Sequence, residues 1–305
     1  MRTSIVASIL SLPLALAEQA VLTSTKRGLV YVETENKKDD HFWTSASDIR
    51  WYYNYESEPT SQLNNKLEFV PMLWGAGSDS NFYTTVKDLK DGGMNVSYVL
   101  AFDEPDGCGQ VYGGSCVDAQ TAAEMWKQQI EPLKDLGIKL GGPTVTSAPT
   151  GFTWLQNFFM QCAGGCSVDF LPVHYYGDFQ GLASHIGQVN ATYQNISTMW
   201  VTEYGLPNQD LEVAQDFYNQ SSAFLNRVPY IQRYSYFGSF RSDVSNVGPN
   251  AAMLTQKGEL TDIGAWYLGD AVAATGNIPK GDAVQLAKFA GWMMMVVAVS
   301  FYCIA

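Results

Sequence analysis

The sequence predicts an α/β fold, a single (β/α)8 TIM barrel, from three observations. Short apolar segments recur along the chain, helix-like segments separate most of them, and eight such apolar segments can be counted. Strands that alternate with helices favour a parallel sheet, and eight of them favour closure into a barrel. A doubly wound open sheet is the alternative. It would need a glycine-rich turn after the first strand, where VYVETENKKDD contains no glycine.

The eight candidate strands are short and rich in β-branched and aromatic residues, as expected for parallel strands covered on both faces. In chain order they are GLVYVE (28–33), IRWYYNY (49–55), EFVPMLWG (68–75), SYVLAFD (97–103), IKLGG (138–142), VDFLPVHYY (168–176), TMWVTEY (198–204) and PYIQRYSYFG (229–238).

The clearest helical segment lies between the fourth and fifth strands, at residues 119–136. Its apolar residues share one side of a helix, and they are Ala122, Met125, Trp126, Ile130 and Leu133. Helices are also predicted in four other gaps, at 81–90, 151–161, 182–193 and 212–226.

Both ends of the chain carry predicted processing signals. Residues 1–17 combine a basic start, an apolar stretch and an Ala-Leu-Ala site, which is typical of a secretory signal peptide. Residues 277–305 form a polar spacer and an apolar end after the small residues 273–276, which is typical of a GPI-anchor signal. A true C-terminal membrane anchor is the alternative, which Lys288 and the short apolar length disfavour.

These signals predict a secreted protein held at the cell surface or cell wall by a lipid anchor in the plasma membrane. Removing both leaves residues 18–276 as one domain, close to the size of about 250 residues that is typical of a (β/α)8 barrel. The net charge of -12 disfavours nucleic acid and anionic lipid as partners. We expect a monomer.

Four cysteines lie within the predicted domain, and an even number in an exported protein indicates disulfides. Their short separations predict the pairs Cys108–Cys116 and Cys162–Cys166. Metal binding is the alternative, but the three histidines, His41, His174 and His185, lack ligand-like spacing to the cysteines. We therefore expect structural disulfides and no metal.

The chain also contains four Asn-x-Ser/Thr triplets, which predict N-glycans on an exported protein. They begin at Asn95, Asn190, Asn195 and Asn219.

Two glutamates come at the ends of apolar, strand-like segments, Glu104 in YVLAFDEPDG and Glu203 in MWVTEYG. In a barrel they end the fourth and seventh strands, so both face the mouth where barrel enzymes place their chemistry. Cleavage of a glycosidic bond needs two carboxyl groups, one as proton donor and one as nucleophile or base. For either glutamate alone, a solvated loop residue is the alternative. A matched pair favours a glycosidase.

Six segments in order resemble glycoside hydrolase family 128, the Asl1-like catalytic domain of β-1,3-glucanases. These segments are WYYNY, FVPMLWG, FDEPD, VHYYGD, WVTEYG and RYSYFGSF. The resemblance implies a TIM barrel, a retaining endo-β-1,3-glucanase that acts by double displacement, and β-1,3-glucan or its oligosaccharides as the substrate. It implies Glu104 as acid/base and Glu203 as nucleophile, with no cofactor.

Further residues at the predicted strand ends are candidates for substrate binding. Trp74 matches an aromatic residue of the family that would stack on a sugar ring, and His174 and Tyr176 are placed to support Glu203. The other candidates are Asn54, Tyr55, Tyr204, Tyr236 and Phe237. For any single aromatic residue, packing in the core is the alternative.

The chain departs from the family pattern at several positions. Asp103 stands where an asparagine usually precedes the acid, and an ionised aspartate can only accept hydrogen bonds. A carboxylate there would also raise the pKa of Glu104. Tyr55, Tyr175 and Tyr236 occupy places where tryptophan is common. These changes leave the reaction class in place and bear on linkage and chain-length preference.

Two other functions remain open alongside hydrolysis. A catalytically weak wall protein would use the same cleft to bind glucan, although a binding groove has no need of a matched acid and nucleophile. A β-glucan transglycosylase would pass the sugar to another sugar instead of to water. Serine hydrolase chemistry is disfavoured, because the chain contains no G-x-S-x-G motif.

Overall fold

The computed structural model describes residues 22–45, 48–63, 66–77, 80–108 and 113–269. The predicted signal peptide (1–17) and anchor signal (277–305) lie outside these residues and stay predictions. Within the described residues, no helix has the length and apolar character needed to cross a membrane.

The structure has an α/β fold in which every described pair of strands is parallel. The strands are β1 (Gly28–Val30), β2 (Trp51–Tyr53), β3 (Glu68–Phe69), β4 (Met72–Leu73), β5 (Tyr98–Asp103), β6 (Lys139–Thr144), β7 (Leu171–Tyr176), β8 (Met199–Gly205) and β9 (Ile231–Tyr236). They form three sheets, in the orders β1-β2-β3, β4-β5-β6 and β7-β8-β9.

The predicted strand 68–75 is divided into β3 and β4 at Val70 and Pro71. Proline has no N–H to give to a strand ladder, which accounts for the interruption. The chain still joins the neighbouring sheets here, because Val70 N donates to Tyr52 O at 2.9 Å and Leu100 N donates to Pro71 O at 2.9 Å. Isolated parallel bridges link β6 to the residue before β7, and link the residue before β1 to β9.

Seven α-helices are described: α1 (His41–Ser45), α2 (Phe82–Asp91), α3 (Ala119–Met125), α4 (Pro149–Cys162), α5 (Phe179–Thr192), α6 (Leu211–Arg227) and α7 (Asp262–Leu268). Each of the five predicted helices has a counterpart among them. The predicted helix 119–136 is regular only in α3 and continues as a π turn and then a 3-10 turn, Glu131–Leu136. Pro132 lacks the N–H that an α-helix would use there, so the regular hydrogen bonding ends. Gly137, at φ 78°, then terminates the segment.

Strand side chains alternate between two hydrophobic clusters, since successive residues of a strand point to opposite faces. The larger cluster contains Tyr52, Ala101 and Val201 together with many helix residues. The smaller cluster contains their neighbours Trp51, Leu100 and Trp200, and no residue of the seven described helices. The smaller cluster therefore lies on the strand face away from the helices.

The N-terminal ends of several strands are filled by one arginine. The guanidinium of Arg233 lies 4.4 Å from the ring centroid of Tyr98 and 4.5 Å from that of Trp200. It also pairs with Glu68 at 2.7 Å. A cation over aromatic faces is attracted to their negative charge density. This packing occupies the end of the strands opposite to Glu104 and Glu203.

Both predicted disulfides are confirmed, Cys108–Cys116 and Cys162–Cys166. The first spans the loop that follows β5, and the second joins the end of α4 to the turn after it. Among the predicted glycosylation positions, Asn95 and Asn195 are exposed and Asn190 and Asn219 are half-buried. Glycosylation at these positions stays a prediction.

Candidate active site

One buried histidine of β7 contacts both predicted catalytic glutamates. His174 Nδ1 lies 3.2 Å from Glu104 Oε1, and His174 Nε2 lies 3.6 Å from Glu203 Oε1. Glu104 directly follows β5, and Glu203 lies within β8. Two side chains remote in sequence are therefore separated by a single imidazole ring, at the C-terminal ends of their strands.

Glu203 reaches this position through a β-bulge in β8. The residues on either side of Thr202 pair with consecutive residues of β7, so that Glu203 lies opposite His174 and Thr202 is the extra residue. A bulge turns the following side chain away from strict alternation, and bulges are frequent beside active sites. The carbonyl of Thr202 accepts hydrogen bonds from the hydroxyls of Tyr53 at 3.0 Å and Ser235 at 2.5 Å. These two hydroxyls hold the bulge.

Three tyrosine hydroxyls donate hydrogen bonds to the Glu203 carboxylate. Tyr55 and Tyr53 donate to Oε1 at 2.6 and 3.2 Å, and Tyr176 donates to Oε2 at 2.6 Å. Burial, with the added charge of Glu203, raises the pKa of all three phenols well above its usual range. They therefore keep their protons and act as donors, and donors of this kind stabilise negative charge on a carboxylate.

Glu104 lies in a different environment. Burial raises the pKa of its carboxyl, the negative charge of Glu203 adds to this, and His174 opposes it. Burial lowers the pKa of His174, but the carboxylates of Glu203, Glu104 and Asp103 outweigh burial and bring it to about 9. The imidazole therefore carries a positive charge that partly balances the surrounding acids. A carboxyl group with a raised pKa is suited to donating a proton.

The backbone at Glu104 has a conformation that is rare outside glycine, with φ at 39°. It is held from two sides, because Glu104 N donates to Thr144 O at 2.7 Å and Gly107 N donates to Glu104 O at 2.8 Å. A Cβ placed on Gly114 would lie 2.3 Å from Glu104 O. Gly114, which lies between the disulfide-bonded Cys108 and Cys116 in the sequence, is therefore packed directly against the backbone of Glu104.

Replacing Gly114 by alanine should lower kcat by about 10-fold to 100-fold, because a displacement near 1 Å at a catalytic group can cost as much as 100-fold. The added methyl group has no room beside the Glu104 carbonyl, so Glu104 must move. The measurement is steady-state kinetics on β-1,3-glucan, the substrate that the resemblance in the sequence implies, with circular dichroism to establish that the fold is retained. Gly77→Ala is the control, since a Cβ at Gly77 meets nothing within 4 Å. An unchanged kcat in Gly114→Ala would contradict this account of Glu104.

Five of the predicted substrate-binding residues join the two glutamates. Asp103, His174, Tyr55 and Tyr176 contact one another or the glutamates, and the Trp74 side chain hydrogen-bonds the carboxyl of Asp103. Phe237 lies next to this group, with its ring centroid 5.7 Å from that of Tyr176.

Three other predicted residues are placed elsewhere. The amide of Asn54 donates to the carbonyl of Glu58 at 3.0 Å, within the turn after β2. Tyr204 and Tyr236 are 0% and 1% exposed and belong to the larger hydrophobic cluster. Their rings pack against Phe217 and Tyr218 of α6. The expectation that Tyr204 and Tyr236 lie at the mouth is therefore corrected, because the bulge before Glu203 leaves Tyr204 facing the helices.

Sequence reasoning missed Tyr53, whose hydroxyl shares its one proton between Glu203 and the bulge carbonyl. The sequence feature that could have identified Tyr53 is the alternation of side chains in β2, which puts Trp51, Tyr53 and Tyr55 on one face.

Sequence reasoning also left Asp106 without a role. The Asp106 carboxylate accepts hydrogen bonds from Thr146 N at 2.8 Å and from the hydroxyl of Thr150 at 3.2 Å. Asp106 thus ties the loop of Glu104 to the segment that follows β6.

Asp103, His174 and Glu203 offer ligand atoms within 4.8 Å of one another, a spacing that a metal ion could use. Both oxygens of Glu203 already accept hydrogen bonds from phenols, which a cation would have to displace. The arrangement of one hydrogen-bonded carboxylate, one carboxyl with a raised pKa and a bridging imidazole is suited to proton transfer and nucleophilic attack.

The chain matches the family of the glycosyl hydrolase catalytic core over residues 28–267. It is 30% identical over 255 residues to the alkali-sensitive linkage protein 1 of Schizosaccharomyces pombe, covering 80% of this chain and 44% of that protein. The chain thus spans less than half the length of this relative.

Solved structures are similar to this fold. A curdlan-specific exo-β-1,3-glucanase of Blastomyces gilchristii, with bound glucose, is 27% identical with a TM-score of 0.65, covering 79% of this chain and 97% of that one. An endo-β-1,3-glucanase of Amycolatopsis mediterranei, with laminarihexaose, is 27% identical with a TM-score of 0.62, covering 81% and 100%. An oligosaccharide-binding protein of Trichoderma gamsii is similar in fold, at 22% identity and a TM-score of 0.63, covering 80% and 92%.

All three of these structures are members of glycoside hydrolase family 128. The matched range 28–267 takes in every strand and all but the last residue of α7, and it includes both glutamates, His174 and the three tyrosines around Glu203. The chain therefore belongs to the glycosyl hydrolase catalytic core family, as a member of glycoside hydrolase family 128.

Proposed function

We propose that the protein is a retaining endo-β-1,3-glucanase that hydrolyses cell-wall β-1,3-glucan, with Glu203 as nucleophile and Glu104 as acid/base. The observation that carries this proposal is the contrast between the two carboxyl groups on either side of His174. Glu203 accepts three phenolic hydrogen bonds, whereas burial raises the pKa of Glu104. Two carboxyl groups with such different surroundings are the usual basis of acid and nucleophile roles.

In the first step, a Glu203 oxygen attacks the anomeric carbon while the bond from that carbon to the glycosidic oxygen breaks. Glu104 gives its proton to the leaving oxygen, and the sugar remains bound to Glu203 as an ester. This step removes the negative charge of Glu203, which weakens the charge repulsion that keeps Glu104 protonated. Glu104 can then take a proton from water, whose oxygen attacks the same carbon and releases Glu203.

His174 and the tyrosines assist without forming a covalent bond to the sugar. The phenols hold both oxygens of Glu203, so the carboxylate is oriented before substrate arrives. His174 contacts Glu104 and Glu203 together and supplies a positive charge between them. We infer that this charge keeps the free enzyme stable when several acids lie so close together.

We further propose that the three sheets form one closed eight-stranded (β/α)8 barrel, with β3 and β4 counted as one strand. Three connections support this proposal: the continuous segment between β3 and β4, the bridge between Gly141 and Phe170, and the bridge between Arg27 and Tyr234. In such a barrel, the glutamates occupy the mouth at the C-terminal ends of the strands. The domain would be exported and held as a monomer at the cell wall by a lipid anchor.

Two alternatives use the same site. A glucan-binding protein without turnover is favoured by one observation, the family's oligosaccharide-binding member from Trichoderma gamsii. A transglycosylase would use a sugar hydroxyl in place of water in the second step. The intact pair of glutamates supports either of the two catalytic functions over simple binding.

The test is a product profile on purified β-1,3-, β-1,4- and mixed-linkage glucans. We expect oligosaccharides of several lengths from β-1,3-glucan and none from β-1,4-glucan, which is the pattern of an endo-acting enzyme. Products longer than a supplied laminari-oligosaccharide would identify a transglycosylase, and single sugars alone would identify an exo-acting enzyme. Binding of β-1,3-glucan without any cleavage would overturn the enzymatic proposal.

A further inference from the structure

A third acid lies beside the two glutamates and has no role in the mechanism above. Asp103 ends β5, and only 8% of its side chain is exposed. Its Oδ1 is buried without a hydrogen-bond partner among the described residues, although the Trp74 side chain hydrogen-bonds the carboxyl. A buried polar atom without a partner is unfavourable, so its presence beside the two glutamates indicates a ligand that satisfies it.

A second unpartnered atom faces the same space. Within the part of the chain that the structure describes, His174 Nε2 is also buried without a hydrogen-bond partner. It lies 3.9 Å from Asp103 Oδ1 and 3.6 Å from Glu203 Oε1. The ligand atoms of these three residues lie within 4.8 Å of one another. One polar atom between them would contact all three. Glu203 would bond to the anomeric carbon, whose neighbours are the ring oxygen and the carbon that carries the 2-hydroxyl. Only the hydroxyl can donate a hydrogen bond to Glu203 as well as accept one from His174, so the 2-hydroxyl is the sugar group that fits this space.

The charges around Asp103 decide which form of the carboxyl binds that hydroxyl. The groups that face it are His174 from β7, Glu203 from β8, Glu104 from its own loop, and the neutral phenols of Tyr53 and Tyr55. Glu203 receives three phenolic hydrogen bonds, and Glu104 contacts His174 Nδ1. Asp103 receives one side-chain hydrogen bond, from Trp74. With Glu104 protonated as the acid, one imidazolium balances only one of the two remaining carboxylates.

We propose that Asp103 is a neutral carboxylic acid in the working enzyme and donates its proton in a hydrogen bond to the 2-hydroxyl of the sugar held at Glu203. The proposal rests on the proposed glucanase function. A neutral acid can donate, whereas the ionised form can only accept and would put a second negative charge beside Glu203. The hydrogen bond from Asp103 would therefore strengthen substrate binding.

The direction of the pH dependence follows from the same surroundings. Burial raises the pKa of Asp103 well above its usual range, with Glu203 and Glu104 adding to this and His174 and Trp74 opposing it. The neutral form is present below this raised pKa and is lost as pH rises through it. Substrate binding should therefore weaken at higher pH, and an amide at position 103 should remove this dependence.

The first measurement is infrared difference spectroscopy of the full folded protein across a pH titration. We expect the carbonyl band of a protonated carboxyl group near neutral pH, reduced in Asp103→Asn and unchanged in Asp135→Asn, an exposed control. Glu104→Gln identifies the part of the band that belongs to Glu104. A band that Asp103→Asn leaves unchanged at every pH would overturn the proposal. This readout needs no turnover, so it separates the state of Asp103 from the glucanase function.

The second measurement is KM for laminarin as a function of pH. In the wild-type protein, KM should rise by up to about tenfold per pH unit once Asp103 is ionised, since one pKa unit corresponds to a tenfold change. Asp103→Asn should keep a low KM that hardly changes over the same range, and Asp103→Leu should have a high KM throughout. Parallel KM profiles in the wild type and Asp103→Asn would overturn the proposal.

The two measurements also distinguish failures from one another. A band assigned to Asp103 without any glucan cleavage would remove the glucanase function and leave a neutral Asp103. Glucan cleavage without that band would support the glucanase function and reject a neutral Asp103. If Asp103→Asn does not fold, the wild-type band and the wild-type KM must still titrate with the same midpoint, and different midpoints would overturn the proposal.

Discussion

Replacing Glu203 by glutamine should lower kcat on β-1,3-glucan by roughly 10⁴-fold to 10⁶-fold, the range seen when a covalent nucleophile or its close partner is removed. The amide of glutamine cannot attack the anomeric carbon or leave it again, so no glycosyl-enzyme can form. Glutamine has the shape of glutamate, and the site is formed mainly by other residues. We therefore expect the fold and the affinity for oligosaccharide to be largely retained.

Covalent trapping is the direct measurement of this role. A mechanism-based fluoro-sugar should add one glycosyl group to the wild-type protein, detectable as a mass increase in the intact chain, and should add none to Glu203→Gln. Glu212→Gln is the matched control, because Glu212 is an exposed glutamate in the first turn of α6. Laminarin degradation at the wild-type rate by Glu203→Gln would reject Glu203 as the nucleophile.

Two features position Glu203, the strand that carries it and the bulge before it. Only the strand could be predicted from the sequence. The strand itself is visible, because MWVTEYG is apolar and β-branched and is followed by a turn. The predicted strand 198–204 and β8 (Met199–Gly205) differ by one residue at each end. The glutamate pair could be found for the same reason, since each glutamate ends an apolar segment and parallel strands bring those ends together.

The bulge at Thr202 could not be found from the sequence. Strict alternation from Trp200 would point Glu203 toward the helices and Thr202 into the site, and no residue type in this strand marks the extra position. The bulge is stabilised by hydroxyls from two other strands, Tyr53 of β2 and Ser235 of β9. Such partners are remote in sequence, so a local pattern does not reveal them. The misplacement of Tyr204 follows from this missing information.

Proline explains the two differences in regular structure. Pro71 divides the predicted strand 68–75, and Pro132 ends the regular hydrogen bonding of the predicted helix 119–136. Both effects follow from the missing N–H of proline, which a strand ladder or an α-helix would otherwise use. These two positions could have been predicted from the sequence with closer attention to proline. The apolar pattern continues on both sides of each proline, so the pattern alone predicts one unbroken strand or helix.

Replacing Glu104 by glutamine should lower kcat on β-1,3-glucan by about 10²-fold to 10⁴-fold, the usual contribution of general acid–base catalysis. The loss should depend on the leaving group. A natural glucan leaves as an alkoxide that needs a proton, whereas an activated aryl group leaves readily without one. With an aryl glycoside, the first step should therefore stay fast while the attack of water, which has lost its base, becomes slow.

The pH profile provides an independent measurement of the same role. Burial raises the pKa of Glu104, so the wild-type enzyme should keep its proton donor to a higher pH than an ordinary glutamate would allow, and kcat should fall as pH rises through that value. Glutamine has no proton to lose, so this alkaline fall in kcat should be absent from Glu104→Gln and present in the control Glu212→Gln. The dependence assigned to Asp103 affects KM, which separates the two acids.

Rapid-mixing kinetics with an aryl glycoside complete the argument. In Glu104→Gln we expect a burst of released aryl group followed by slow turnover, because the sugar accumulates on Glu203 when no base activates water. A small external nucleophile such as azide, which needs no base, should then restore turnover. Equal losses on aryl and natural substrates, with no burst and no effect of azide, would reject Glu104 as the acid/base. That result would leave His174, which contacts the same two acids, as the next residue to test.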